Sequence, residues 1–266
     1  VTDSQNYFTL PIEQFRITDY EKYQITKRIE ESGQKIWGTY LHFVDPVLKN
    51  FAINIRVNYF SGSDINMIRN DIENKVSDYL LKLNRIDYLP KSDLIALLET
   101  VPNIDFVNVD FISEDIEKFW NFIFTKQIWY LKKREYQESA NNTIGLSLEL
   151  DEYELLYDFV LRDMDDFTNE NIIPQIEKVR LNEIYQKVSS LPTINKWLSE
   201  KMDSDGNIIF QRETLPIFRG NFYDRFSNFY NSTISQKRLS PINIYFTPVS
   251  SGIENFKSQR SELRRK

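Results

Sequence analysis

The sequence contains no cysteine, which excludes disulfides, thiolate metal sites and cysteine nucleophiles together. It contains one histidine, His42, and a single imidazole cannot supply the usual metal triad, nor can we place it in a Ser-His-Asp triad. Glycine is scarce, with 7 residues in 266, and no glycine-rich phosphate-binding loop occurs. We therefore expect a protein that is not an enzyme and that binds no metal ion or cofactor.

Charge and hydropathy also limit the possible partners. No stretch reaches the ~18 uninterrupted apolar residues of a membrane span, and the N-terminus resembles no signal peptide, so we expect no membrane partner. The net charge of −6 makes nucleic acid an unlikely general partner. The C-terminal end is the basic exception, and we interpret it as an exposed tail or a protein contact: Lys257, Arg260, Arg264, Arg265 and Lys266.

The abundant residues are aromatic, with 19 Phe, 15 Tyr and 4 Trp. Hydrophobic residues make up 41% of the chain, enough for a sizeable buried core. Changes of pattern divide the chain into four parts. These are an N-terminal arm (1–39), an α/β module (40–112), a mainly helical segment (113–202) and a strand-rich C-terminal segment with the basic tail (203–266).

The clearest periodicity lies in residues 51–111. Apolar residues alternate along 51–59, which predicts a half-buried strand. They then recur at three- and four-residue steps along 65–83, which predicts a helix capped by Ser63 or Asp64. A second, shorter helix with Ser92 as its N-cap follows, and alternation returns at 107–111. The order β-α-α-β, with two adjacent strands and both helices on one sheet face, predicts an α+β fold.

Weaker patterns predict further elements. These are helices at 21–29 and 151–167, a helical stretch at 182–202 broken at Pro192, and strands at 40–44, 145–150, 207–211 and 242–246. The sequence Asp203-Ser-Asp-Gly-Asn207 has glycine too early for a calcium loop, so we interpret it as a turn. Acidic residues at 163, 165 and 166 are more typical of a solvated face than of a magnesium site.

Residues 114–133 carry aromatic side chains on more than one side of a helix. Such a segment is either a central core helix or a surface that docks against another chain. Residues 219–230 mix arginine with aromatics, a composition favoured at protein interfaces and less consistent with RNA stacking on an acidic chain. The candidate interface residues are Phe119, Trp120, Phe124, Trp129, Tyr130, Arg219, Phe222, Tyr223 and Arg225.

Residues 40–112 resemble the baseplate J-like wedge proteins of tailed phages. The matching residues are Val44-Asp45-Pro46, Ile53-Asn-Ile-Arg-Val57, the helix at 65–83, Ser92-Asp-Leu94, Val101-Pro-Asn-Ile104 and Val107-Asn-Val109. The sequence departs from the family at Pro102-Asn103, where a glycine turn is usual. Three later segments are similar to structural proteins of large tailed phages: Gly206-Asn-Ile-Ile209, Leu215-Pro-Ile-Phe-Arg219-Gly220 and Tyr223-Asp-Arg225. Here Asn221 replaces an expected glycine.

The resemblance implies a structural component of a virion tail, in a baseplate wedge or ring, assembled in the host cytoplasm without catalysis. It implies other virion tail proteins and copies of the chain itself as partners. Two alternatives stay open on the residues alone. One is a hydrolase of unrecognised class that uses a carboxylate pair, and the other is an adaptor that binds nucleic acid through the basic tail.

Overall fold

A computed structural model describes residues 6–33, 38–83, 88–124, 148–149, 151–152, 154–156, 175–224 and 238–249. Two 3₁₀ turns, Tyr7–Thr9 and Ile12–Phe15, precede the regular elements. The described helices are α1 (Asp19–Glu31), α2 (Ile65–Leu81), α3 (Lys91–Leu98), α4 (Glu114–Phe124), α5 (Gln175–Ser189) and α6 (Pro192–Ser199). The strands are β1 (Val47–Phe60), β2 (Tyr88–Leu89), β3 (Ile104–Ser113), β4 (Ile208–Ile209), β5 (Thr214–Phe218) and β6 (Ile242–Val249).

Strand β1 is the centre of a mixed four-stranded sheet. On one edge it pairs antiparallel with β3, with Ile55 opposite Val109. On the other edge it pairs in parallel first with β5 and then with β6, which follow one another along its length. Strands β2 and β4 form a separate two-stranded sheet. The sheet therefore joins residues from the α/β module with strands more than 100 residues further along the chain.

The main core lies between one face of this sheet and the helices α2 and α3. The alternating apolar residues of β1 and β3 point into it, together with Phe218 of β5. Helix α2 contributes Ile68, Ile72, Val76 and Leu80, which recur at three- and four-residue steps and so share one face. The predicted α+β class is confirmed, and the two predicted strands are adjacent in the sheet. They pair antiparallel, and the short strand β2, which was not predicted, lies between the two helices.

Several predictions of single elements need correction. Residues 39–46 form no strand, and Tyr40 is almost fully exposed, because the paired part of the chain begins only at Val47. Strand β6 continues past Thr247 to Val249, since β1 is long enough to pair with it throughout. Strand β5 was not predicted at all. The strand predicted at 145–150 and most of the helix predicted at 151–167 lie outside the described residues.

The N-terminus of α3 is capped from a distance rather than by Ser92. Its N-cap residue is Pro90, whose side chain makes no capping hydrogen bond. Instead the Lys91 backbone N–H donates to Asn207 Oδ1 at 2.9 Å. Asn207 is held by Asp203, whose carboxylate accepts from both its backbone and its side chain. The predicted turn at 203–207 is thus confirmed, and it satisfies an otherwise orphaned helix N–H.

The arm before α1 is docked onto the core by its first described residues. Tyr7 is buried, and its N–H donates to the hydroxyl of Ser77 on α2 at 2.9 Å. The Tyr7 hydroxyl accepts from the backbone N–H of Phe218 at 3.3 Å. Burial raises the pKa of Tyr7 to about 12, although the hydrogen bond from Phe218 and the charge of Arg219 oppose that shift. The tyrosine therefore stays neutral and links α2 to β5.

Helices α4, α5 and α6 bury a second group of aromatic residues. The Phe119 ring lies 5.0 Å from Trp120 and 5.3 Å from Trp197, measured between centroids. Trp120 also lies 4.5 Å from the Tyr185 ring. The predicted helical stretch near Pro192 is confirmed, with the proline at the start of α6, where its missing N–H costs nothing.

Two asparagines take the left-handed backbone conformation that usually requires glycine. The φ angles of Asn103 and Asn221 are 66° and 64°. Asparagine is among the few residues other than glycine that adopt this region routinely.

Of the glycines that the structure describes, Gly220 is the one with the least room for a side chain. Its φ is +57°, and an added Cβ would lie 2.5 Å from the Ser240 backbone and 2.6 Å from the Leu239 oxygen. We predict that Gly220→Ala lowers the free energy of unfolding by about 2–5 kcal/mol, which combines left-handed strain with a clash against backbone atoms. Urea unfolding followed by circular dichroism measures the change.

Gly62→Ala is the matched control for this prediction. Gly62 also has a positive φ, +92°, but an added Cβ would meet no atom within 4 Å. Gly62→Ala should therefore lower the free energy of unfolding only by the cost of the left-handed backbone conformation, about 1–2 kcal/mol. Equal losses for the two variants would show that the close approach of 220 to 239–241 does not matter.

Candidate interaction surface

Two aromatic residues of α4, Phe119 and Trp120, are core residues and offer no surface to a partner. Phe119 and Trp120 are fully buried within the chain, as is Ile123 one turn later. Of the two interpretations of this segment, the core helix is therefore the correct one for these residues. The side chain of Phe124, and residues Trp129 and Tyr130, lie outside the described residues.

Arg219 contacts its own chain through its guanidinium group. Its guanidinium donates to the backbone oxygens of Phe8, at 2.7 Å, and of Leu10, and it stacks over Phe15 with 5.1 Å to the ring centroid. This contact holds the N-terminal arm against the end of β5. The residue is therefore an internal clamp, which the sequence could not indicate because the acceptors lie more than 200 residues away.

Phe222 and Tyr223 are also engaged internally. Phe222 is buried on the second face of the sheet with Ala52 and Leu239. Tyr223 is half-buried, with the Arg238 guanidinium 5.2 Å from its ring centroid. The remaining candidate from this segment, Arg225, lies outside the described residues.

The exposed apolar side chains are concentrated elsewhere, on α1 and the segment that leads into β1. Of the sixteen large hydrophobic residues that are exposed in the described parts of the chain, nine fall between residues 12 and 47. We call these nine the N-terminal surface: Ile12, Ile17, Tyr20, Tyr23, Ile25, Tyr40, Leu41, Val44 and Val47. Tyr20 and Tyr23 are 71% and 61% exposed, and their three-residue spacing puts them side by side on the helix.

Helix α1 is stabilised by local interactions, not by burial. No residue of α1 is buried. Thr18 and Glu21 form a capping box. The Thr18 hydroxyl oxygen accepts from the Glu21 backbone N–H, and the Glu21 carboxylate accepts from the Thr18 backbone N–H. The hydrogen bonds from the Thr18 backbone and hydroxyl lower the pKa of the fully exposed Glu21 carboxylate. The helix can therefore form while its tyrosines stay in water.

One ion pair connects α1 to the segment that enters β1. Lys22 Nζ lies 3.4 Å from Asp45 Oδ1, and it also lies 3.7 Å from Asp19 of its own helix. Exposed pairs of this kind contribute little to stability, typically ~0–1 kcal/mol. The pair therefore places α1 beside the segment that enters β1.

Sequence reasoning missed this surface because its apolar residues are interspersed with charges. Averaged over its length, the sequence of the helix Asp19–Glu31 is polar, which is typical of a solvated helix. The signal that could have found it is the pair of tyrosines on an otherwise charged face. Tyrosine is enriched in protein interfaces, where it supplies contact area and a hydroxyl together.

The described residues lack two kinds of feature. No group of three or more histidine, aspartate or glutamate side chains is placed to hold a metal within them. Among these same residues no helix is both long and apolar enough to cross a membrane. The acidic cluster at 163–166 and the basic C-terminal end lie outside the described residues.

Comparison with known proteins adds no relative. No protein-family model matches the sequence, and no curated protein matches it. The functional interpretation therefore depends on the residues and their geometry.

The core assignment of α4 leads to a direct prediction. We expect Trp120→Ala to lower the free energy of unfolding by about 3–5 kcal/mol, because it empties a fully enclosed site. Tyr20→Ala, an aromatic truncation on an exposed helix face, should change it by no more than about 0.5 kcal/mol. Denaturant unfolding of both variants measures the contrast. A Trp120→Ala protein with wild-type stability would contradict the core assignment.

Proposed function

We propose that the protein is a non-catalytic structural subunit of a multi-protein assembly, most specifically a wedge or ring component of a phage tail baseplate. The observation that carries the proposal is the N-terminal surface. It keeps nine large apolar side chains in water in the isolated chain. Apolar patches of this kind mark protein-interaction sites, since each large side chain gains on the order of 1.5–3 kcal/mol when it is fully buried.

The phage assignment draws support from the resemblance of residues 40–112 and from the two asparagine turns. Asn103 and Asn221 keep a positive φ at the positions where the similar phage proteins carry glycine. A sequence that loses a glycine but keeps its backbone geometry is consistent with a shared turn. The proposed partners are other virion tail proteins and copies of the chain, and the proposed location is the virion.

The proposal predicts that charge on α1 blocks assembly without unfolding the chain. In Tyr20→Glu/Tyr23→Glu, each docked complex would have to bury two carboxylates, at a cost of several kcal/mol. We expect this variant to be excluded from tail particles produced in complementation of a deletion phage. Its far-ultraviolet circular dichroism and unfolding midpoint should match those of the wild type.

Met67→Glu provides the matched control for that test. Met67 is 61% exposed, as Tyr23 is, and it also lies on a helix, but outside the N-terminal surface. This variant should enter tails normally. If the Tyr20→Glu/Tyr23→Glu variant enters tail particles normally, the N-terminal surface is not the docking site. Absence of the wild-type protein from purified tails, tested by antibody labelling in the electron microscope, would overturn the phage assignment itself.

A further inference from the structure

Two lysine side chains share one carboxylate oxygen at the junction of the sheet and the helical segment. Lys49 Nζ lies 2.8 Å from Asp115 Oδ2, and Lys201 Nζ lies 3.4 Å from the same oxygen. Lys49 belongs to β1, Asp115 to the first turn of α4, and Lys201 follows the end of α6. The three groups together carry one positive charge in excess.

This excess charge is partly shielded from water. The Lys201 side chain is only 14% exposed, and its ammonium lies 4.8 Å from the centroid of the Trp197 ring. Burial lowers the pKa of Lys201, and Lys49 lowers it further, while Asp115 and the more distant Glu200 act in the opposite direction. One carboxylate therefore compensates the two ammonium groups incompletely.

The same three side chains line a small pocket. Its volume is about 20 Å³, enough for one water-sized particle, and its other walls combine apolar side chains with the polar residues Ser113, Gln211 and Thr214. Each ammonium has three N–H donors, and its contact with Asp115 uses one of them. Donors from two cations thus remain beside this small space.

We propose that this pocket binds a single monatomic anion, which is chloride under ordinary salt conditions, in contact with the ammonium groups of Lys49 and Lys201. The anion makes the site electrically neutral and fits the available volume. It also joins the segments that meet here, because β1, α4 and the end of α6 each contribute a charged group. The site is remote in sequence from α1 and does not depend on the assembly role proposed above.

The first test compares thermal unfolding in sodium chloride with unfolding in sodium gluconate at the same ionic strength. A ligand that binds only the folded state raises the unfolding midpoint, and we expect a rise of about 2–4 °C in chloride. Lys201→Met removes one of the two ammonium groups and should abolish that difference between the salts. Lys196→Met removes an exposed charge from α6 and should leave it unchanged.

The second test uses the opposite change. Asp115→Asn leaves both ammonium groups without their carboxylate, so the midpoint difference between chloride and gluconate should grow. Bromide locates the ion directly: crystals of the wild-type protein soaked in sodium bromide should show an anomalous peak beside both Nζ atoms, and Lys201→Met crystals should not.

Three results would overturn the proposal. One is a chloride effect of the same size in Lys201→Met, which would indicate a general salt effect. Another is a wild-type protein whose unfolding midpoint is the same in chloride and in gluconate, together with a Lys201→Met protein whose midpoint falls by the same amount in both salts. That result would leave the three side chains with a purely structural role. The third is a bromide map without density in the pocket.

Discussion

Strand β1 is 14 residues long, and its hydrogen bonding on both edges is the constraint from which the rest of the fold follows. Its side chains alternate, so Phe51, Ile53, Ile55 and Val57 are buried under α2 and α3. The parallel edge can be filled only by chain that returns from far away, because parallel strands need a long crossover connection. Residues 214–218 and 242–249 fill it, so two strands from the last quarter of the sequence are joined to the central strand.

Polar side chains connect the parts that this strand brings together. The Asn50 amide donates to the Gly220 oxygen at 2.8 Å and accepts from the Arg219 N–H at 3.0 Å, which extends the β1–β5 contact beyond the last paired residue. Asn207 caps α3 in a similar way across more than 100 residues. Amide side chains suit these positions because each carries both donors and an acceptor. Backbone groups at the ends of elements are thus satisfied by remote partners.

The aromatic residues divide into two groups with different roles. Phe119 and Trp120 of α4 and Trp197 of α6 are enclosed, and contacts between their rings join the two helices. Those of α1 are exposed to water on a helix that begins with a capping box and carries an i,i+4 ion pair between Lys27 and Glu31. Amino-acid composition alone does not distinguish the buried aromatic residues from the exposed ones. Which of them meets a partner depends on what the remainder of the chain covers.

The sequence by itself determined the elements whose signal is periodic and local. Alternation over β1 and β3, the apolar stripe of α2 with its cap at Asp64, the break at Pro192 and the Asp203–Asn207 turn were all readable, and with them the α+β class. Tertiary structure alone decided the partners of those elements. Arg219 and Trp120 carried the composition of an interface, yet one clamps the N-terminal arm and the other fills a core. The physical reason is that burial and long-range hydrogen bonding depend on which surfaces the returning chain covers. No local window of residues contains that information.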